Sequence, residues 1–205
     1  MTEVRQSHEG TKQEIVVPKE TARALGAGLN HLFKEPLGQI SPCIENLKAS
    51  PGSHQVYLQD IEASIPEIIK IVNNLEQARE TRIVPFAGHW DFKFSEERET
   101  GKQRPIQHEI IIDDTTTPTL EQLTVAIQHN FNNKLALLMA CAEQIQRSTQ
   151  NPTTTQNAKE IHSRSESIFN AINLIENADN QLRISTDSNG TTITPVQPAL
   201  VKQTI

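Results

Sequence analysis

The chain has 205 residues, room for one large domain or two small ones, with 36 % apolar and 21 % charged residues. The formal charge is −6 and no basic run stands out, which argues against nucleic acid and anionic membranes as partners. No run of about 18 apolar residues and no signal-peptide core is present, so a soluble cytoplasmic protein is expected.

Residues 1–18 are polar and lack periodicity, and are expected to be a flexible N-terminus. A first helix is expected from Lys19, with an apolar stripe of Leu25, Leu29, Leu32, Phe33, Ile40, Ile44 and Leu47. Pro36 and Pro42 fall inside it and predict kinks. Ser50-Pro51-Gly52-Ser53 predicts a turn with Ser53 as N-cap. A second helix carries Leu58, Ile61, Ile65, Ile68, Val72 and Leu75 at bundle-seam spacing, with Pro66 inside it.

The pattern then changes. His89 to Phe94 alternates polar and aromatic residues, and Ile106 to Ile112 is β-branched and apolar. With Glu99-Thr100-Gly101-Lys102 as the turn, these two stretches predict a hairpin. Pro118 is expected at the first position of a third helix. That helix runs to about Arg147, with Leu120, Ile127, Phe131, Leu135, Leu138, Ala142 and Ile145 on its stripe. After Asn151-Pro152, Thr153 and Gln156 fit a capping box for a fourth helix carrying Ala158, Ile161, Ser165, Ile168, Ile172 and Ile175. Beyond Leu182 the chain is Thr-rich and β-prone, which suits pairing with the central hairpin.

The chain repeats itself. His129-Asn130-Phe131-Asn132-Asn133-Lys134-Leu135 answers His31-Leu32-Phe33-Lys34-Glu35-Pro36-Leu37, ninety-eight positions earlier. Cys43 answers Cys141 and Glu45 answers Glu143. The second and fourth helices align at an offset of one hundred. Both cysteines sit on apolar stripes and are expected to be buried thiols. The expected fold is mainly α: a pseudo-twofold four-helix bundle of two helical hairpins, with a small β-hairpin inserted between them. Its expected parts are 1–18, an N-terminal arm; 19–80, the first helical hairpin; 81–117, the β-hairpin linker; 118–183, the second helical hairpin; and 184–205, a C-terminal tail with room for a strand. Either the chain is a monomer by pseudo-symmetry, or its hairpins swap in a homodimer.

At about 100° per residue, His129 lies roughly 170° from the centre of its apolar stripe and His31 roughly 165° from its own, so both are expected to face solvent. Asn133 and Glu35 lie one turn further along on the same faces. The small Ala136 and Ala140 leave room for a partner beside His129.

This arrangement resembles the dimerisation and histidine-phosphotransfer domain of bacterial sensor histidine kinases. There a helical hairpin dimerises into a four-helix bundle, and the phosphoacceptor opens an H-box of His, an acid, two variable residues, Asn or Thr, often Pro, then Leu. The first box here matches at His31, Pro36 and Leu37; the second at His129, Asn133 and Leu135. The resemblance covers roughly residues 19–80 and 119–182. Both boxes lack the acid after the histidine, where Leu32 and Asn130 stand. No nucleotide-binding pattern occurs, and the residues after Leu182 are too few for an ATP-binding domain.

The resemblance therefore implies a two-component signalling protein that is not a complete histidine kinase. It implies phosphoryl transfer to or from a response-regulator receiver domain, with His129 the favoured acceptor, Asn133 its supporting amide and His31 the second candidate. The chain itself needs no cofactor or metal in that scheme, and Mg²⁺ is expected on the receiver. The alternative is a non-catalytic, histidine-kinase-like adaptor that docks on a receiver domain or kinase bundle. A third reading is a structural bundle with no signalling partner. His54, His89, His108 and His162 show no spacing expected of a metal site.

Overall fold

A computed structural model describes residues 14–50, 52, 54–96, 109–178 and 181–196. In chain order its elements are β1 (Ile15–Val17), α1 (Lys19–Ala49), α2 (Gln55–Gln77), β2 (Thr81–Phe86), β3 (His89–Phe94), β4 (Ile110–Asp113), α3 (Leu120–Ser148), α4 (Pro152–Glu176), β5 (Gln181–Asp187) and β6 (Gly190–Pro195). The protein is mainly helical, with two small antiparallel sheets of order β1-β2-β3 and β4-β5-β6. Each half of the chain thus runs strand, helix, helix, strand, strand, with the same pairing.

The helices follow their apolar periodicity. Leu25, Leu29, Phe33, Ile40, Ile44 and Leu47 of α1 are buried, as are all six stripe residues of α4. The stripe residues of α3 are all buried too; on α2 only Ile65 is partly open. Burying one face per helix is what holds helices of this length, since propensity alone leaves them marginal. The four pack in a ring, α1 on α2, α2 on α3, α3 on α4 and α4 on α1. Across the middle, Phe33 and Phe131 meet edge to face, with ring centroids 5.2 Å apart. Cys43 and Cys141 are buried as expected, and desolvation pushes both thiols above their ordinary pKa.

Several local expectations are corrected. β3 pairs with β2 through a two-residue turn, Ala87-Gly88, and among the described residues with no part of the 106–112 stretch. Both turn residues have positive φ, 46° and 87°, the mirror-image geometry that suits the twist of a tight hairpin. Ile110–Asp113 pairs with β5 instead. Residues 81–117 are therefore not one inserted hairpin: β2 and β3 complete the first sheet, and β4 opens the second. The proposed turn at Glu99–Lys102, residues 106–108 and the Ser53 cap lie outside the described residues. Within the supposedly loose 1–18 segment, Ile15–Val17 is a strand that pairs with β2.

Pro118 precedes the α3 cap rather than opening the helix. Thr119 is the N-cap and makes a capping box with Gln122, Thr119 Oγ1 accepting from Gln122 N at 3.4 Å and Gln122 Oε1 accepting from Thr119 N at 3.0 Å. Thr153 and Gln156 do not cap α4. Asn151 does, its Oδ1 accepting from Thr153 N at 2.9 Å and Thr154 N at 3.2 Å, with Pro152 at the first position, where no N–H is needed. α1 continues through Pro36 and Pro42 as one helix of 31 residues.

Each hairpin packs across the halves. β3 lies on α3, and β6 lies on α1. Gly28 permits the second contact, because a Cβ there would overlap Ile193 Cγ1. Among the described residues no helix is long and apolar enough to cross a membrane.

Gly28→Leu is expected to destabilise the fold by about 1–3 kcal/mol through overpacking against β6. Leu is a better helix former than Gly by up to about 1 kcal/mol, so propensity alone predicts the opposite sign. Urea denaturation of the two proteins distinguishes the outcomes.

Candidate functional site

The β2–β3 turn brings three rings together over α3. His129 projects from the middle of α3 toward the turn. The His89 ring, at the start of β3, stacks on it at 5.5 Å with 16° between planes. The Phe86 ring, at the end of β2, lies 6.2 Å away and tilted by 52°. His129 is consequently half-buried, whereas the helical angle placed it in open solvent. That angle was correct about the bundle and blind to the sheet. Asn133, one turn on, is exposed, as are Ala136 and Ala140. Asn133 is thus on the open part of the helix and outside the ring cluster.

The residue after His129 has a clear structural task. Asn130 Nδ2 donates to Asp91 Oδ1 and to Ala126 O, both at 2.7 Å. The same Asp91 oxygen accepts from Phe92 N at 2.7 Å. The position that carries the acid in an H-box therefore carries an amide that ties α3 to β3.

His31 occupies the equivalent place on α1 but is exposed. The β5–β6 turn reaches it with Gly190, whose φ is 134° and whose Cβ, if it had one, would stand 3.0 Å from His31 Nδ1. By strand register Gly190 is the counterpart of His89 and Asp187 the counterpart of Phe86. Each histidine is thus approached by the hairpin of the other half, with rings at one site and a bare glycine at the other.

One residue before each histidine, the halves share a further contact. Asn30 Nδ2 donates to Glu76 Oε1 at 3.3 Å, and Gln128 Nε2 donates to Glu176 Oε1 at 2.8 Å. Burial raises the Glu76 pKa, and the Asn30 hydrogen bond and the Arg23 charge only partly oppose it. Of the other histidines, His54 is buried and its Nε2 lies 3.2 Å from Leu47 O, where it helps close the α1–α2 turn. His162 Nε2 lies 3.3 Å from Glu143 Oε1. No group of three or more His, Cys, Asp or Glu side chains among the described residues is arranged to hold a metal ion.

His89 and Phe86 are the site residues that sequence reasoning missed. Their signal was the two-residue turn Ala87-Gly88, which places both at the tip of a short hairpin. Compared with known protein families, curated proteins and solved structures, the chain has no match. Its class is therefore stated from its own structure: a mainly α protein with two three-stranded antiparallel sheets, each packed through its last strand on the first long helix of the other half.

Because its carboxyl pKa is raised on folding, Glu76 favours the folded state below the ordinary carboxylate range. That contribution is lost as pH rises through the raised value. Glu76→Gln keeps an acceptor for Asn30 and removes the charge. The variant is expected to exceed the native protein in stability at pH 7.5, with the difference shrinking toward pH 4, as read by denaturation at the two pH values.

Proposed function

We propose that this chain is a histidine-kinase-like adaptor of two-component signalling. In this reading its two halves stand in for the two subunits of a pseudo-twofold dimer. It docks on a receiver domain or a kinase bundle and does not itself carry phosphate. The observation that carries the choice is the ring cluster at His129. Transfer from a phospho-aspartate requires in-line approach to the imidazole. Here His89 stacks on that ring and Phe86 flanks it. Asn130, not an acid, follows the histidine in the sequence, and its amide is committed to Asp91 and Ala126.

The pairing of equivalent residues supports the pseudo-dimer part. Phe33 touches its own counterpart Phe131, and the Asn30–Glu76 contact recurs as Gln128–Glu176. Both hairpins lie on the opposite half, as exchanged arms do in a dimer of identical chains.

A second reading, phosphotransfer, is favoured at one place by the exposure of His31. It needs no metal on this chain, since the receiver's Mg²⁺ would hold the phosphoryl oxygens.

The test is incubation of the purified protein with a panel of phosphorylated receiver domains and kinase bundles from the same organism. The expected outcome is binding that survives His129→Gln and His31→Gln, with no acid-labile, base-stable label on the chain. Label lost in either variant establishes phosphotransfer through that histidine instead. Absence of both binding and label removes the signalling reading.

A further inference from the structure

An open groove lies between α1 and α2. It has a volume of about 350 Å³. Its apolar wall is Phe33, Leu37, Ile65, Ile69 and Val72. On α1 the lining runs from Asn30 to Ser41, about 16 Å along a helix axis.

The counterpart positions on α3 and α4 carry different side chains. Where the first half has Ser41, the second has Met139; where it has Gly38, the second has Ala136; where it has Ile69, the second has Phe169. Phe169 is partly buried and packs on the core, whereas Ile69 is 42 % exposed. Leu135 is fully buried, whereas its counterpart Leu37 is only partly so. A Cβ added at Gly38 would meet nothing within 4 Å. The second half thus carries larger side chains at two lining positions, Met139 and Phe169, and a smaller one at a third, Ser165 where the first half has Ile65.

Size and charge constrain the occupant. About 350 Å³ along roughly 16 Å of α1 is too little for a whole helix, which is about 10–12 Å across. One ionisable group lines it: Lys34, which is exposed and makes no ion pair among the described residues. Asn132 stands at that position in the second half. An apolar slot with a single cation at its rim complements a molecule with an apolar tail and one negative head group.

We propose that the α1–α2 groove binds one small anionic amphiphile, an alkyl carboxylate, with its tail along Phe33, Leu37 and Ile69 and its carboxylate at Lys34. This inference does not depend on the signalling reading.

Decanoate, kept below its micelle concentration, is the probe, and titration calorimetry on the full chain is the measurement. Saturable binding of one decanoate per chain is expected. The double variant Ser41→Met/Ile69→Phe installs side chains already present in the second half and should abolish it. Lys34→Gln, a change at an exposed position, should weaken decanoate about threefold to fivefold, the scale of one exposed charge pair, and leave the uncharged decanol unaffected. Absence of saturable binding overturns the proposal. So does binding that is unchanged in the double variant, or a decanoate affinity indifferent to Lys34→Gln.

Discussion

Phe33 and Phe131 touch at the centre of the helices, and the rest of the structure is arranged around that contact. They are the same position of the repeat. Equivalent positions of the repeat also make equivalent contacts within their own halves. Next to the phenylalanines, Asn30 reaches Glu76 and Gln128 reaches Glu176. Further out, Glu14 pairs with Arg82 across β1 and β2, and Glu109 pairs with Arg183 across β4 and β5. Surface pairs of this kind add little stability individually. Their recurrence marks the same strand register in both sheets.

Equivalent contacts make each half a control for the other. At the two buried cysteines both halves keep the residue, and packing explains it. Where they differ, the difference has a local physical result. His89 covers His129, while its counterpart Gly190 leaves His31 exposed. Gly28 lets β6 close on α1, while Ala126 stands at the matching place under β3. Met139 and Phe169 stand at the positions where Ser41 and Ile69 line the α1–α2 groove. The two halves share a backbone plan and have divided their surfaces.

The helices were legible in the sequence because burial of one face imposes a period close to 3.6, and every stripe residue of α3 and α4 lies where that period puts it. The strands were legible as strands but not as pairs. Alternation says that His89 to Phe94 is extended; it does not choose between Thr81–Phe86 and the apolar run after residue 105. The two-residue turn makes the nearer partner the one of lower closure entropy, and Pro85 obscured it as a strand. Capping was misassigned at α4 for a similar reason. Thr153 and Gln156 fit a pattern, but Asn151 reaches two N–H groups and Pro152 already has the helical φ. The candidate site was half legible. Helical angles place His31 and His129 away from the core of the bundle, and they carry no information about a sheet from elsewhere in the chain.

The cover over His129 is not uniformly held. Its inner part is fixed: Phe92 is buried, and Asp91 holds Asn130 at 2.7 Å. Its outer part is not. Phe86 is 58 % exposed, a Cβ on Gly88 would meet nothing within 4 Å, and Ala87 is held at positive φ, which costs a non-glycine residue about 1–2 kcal/mol. Displacing the tip therefore disturbs two ring contacts, whereas displacing β3 also exposes core side chains and breaks the tie to α3. Local opening draws on the least stable part of a structure. At the His129 site the least firmly held part is therefore the turn that carries Phe86 and His89, while the rest of β3 is seated on α3.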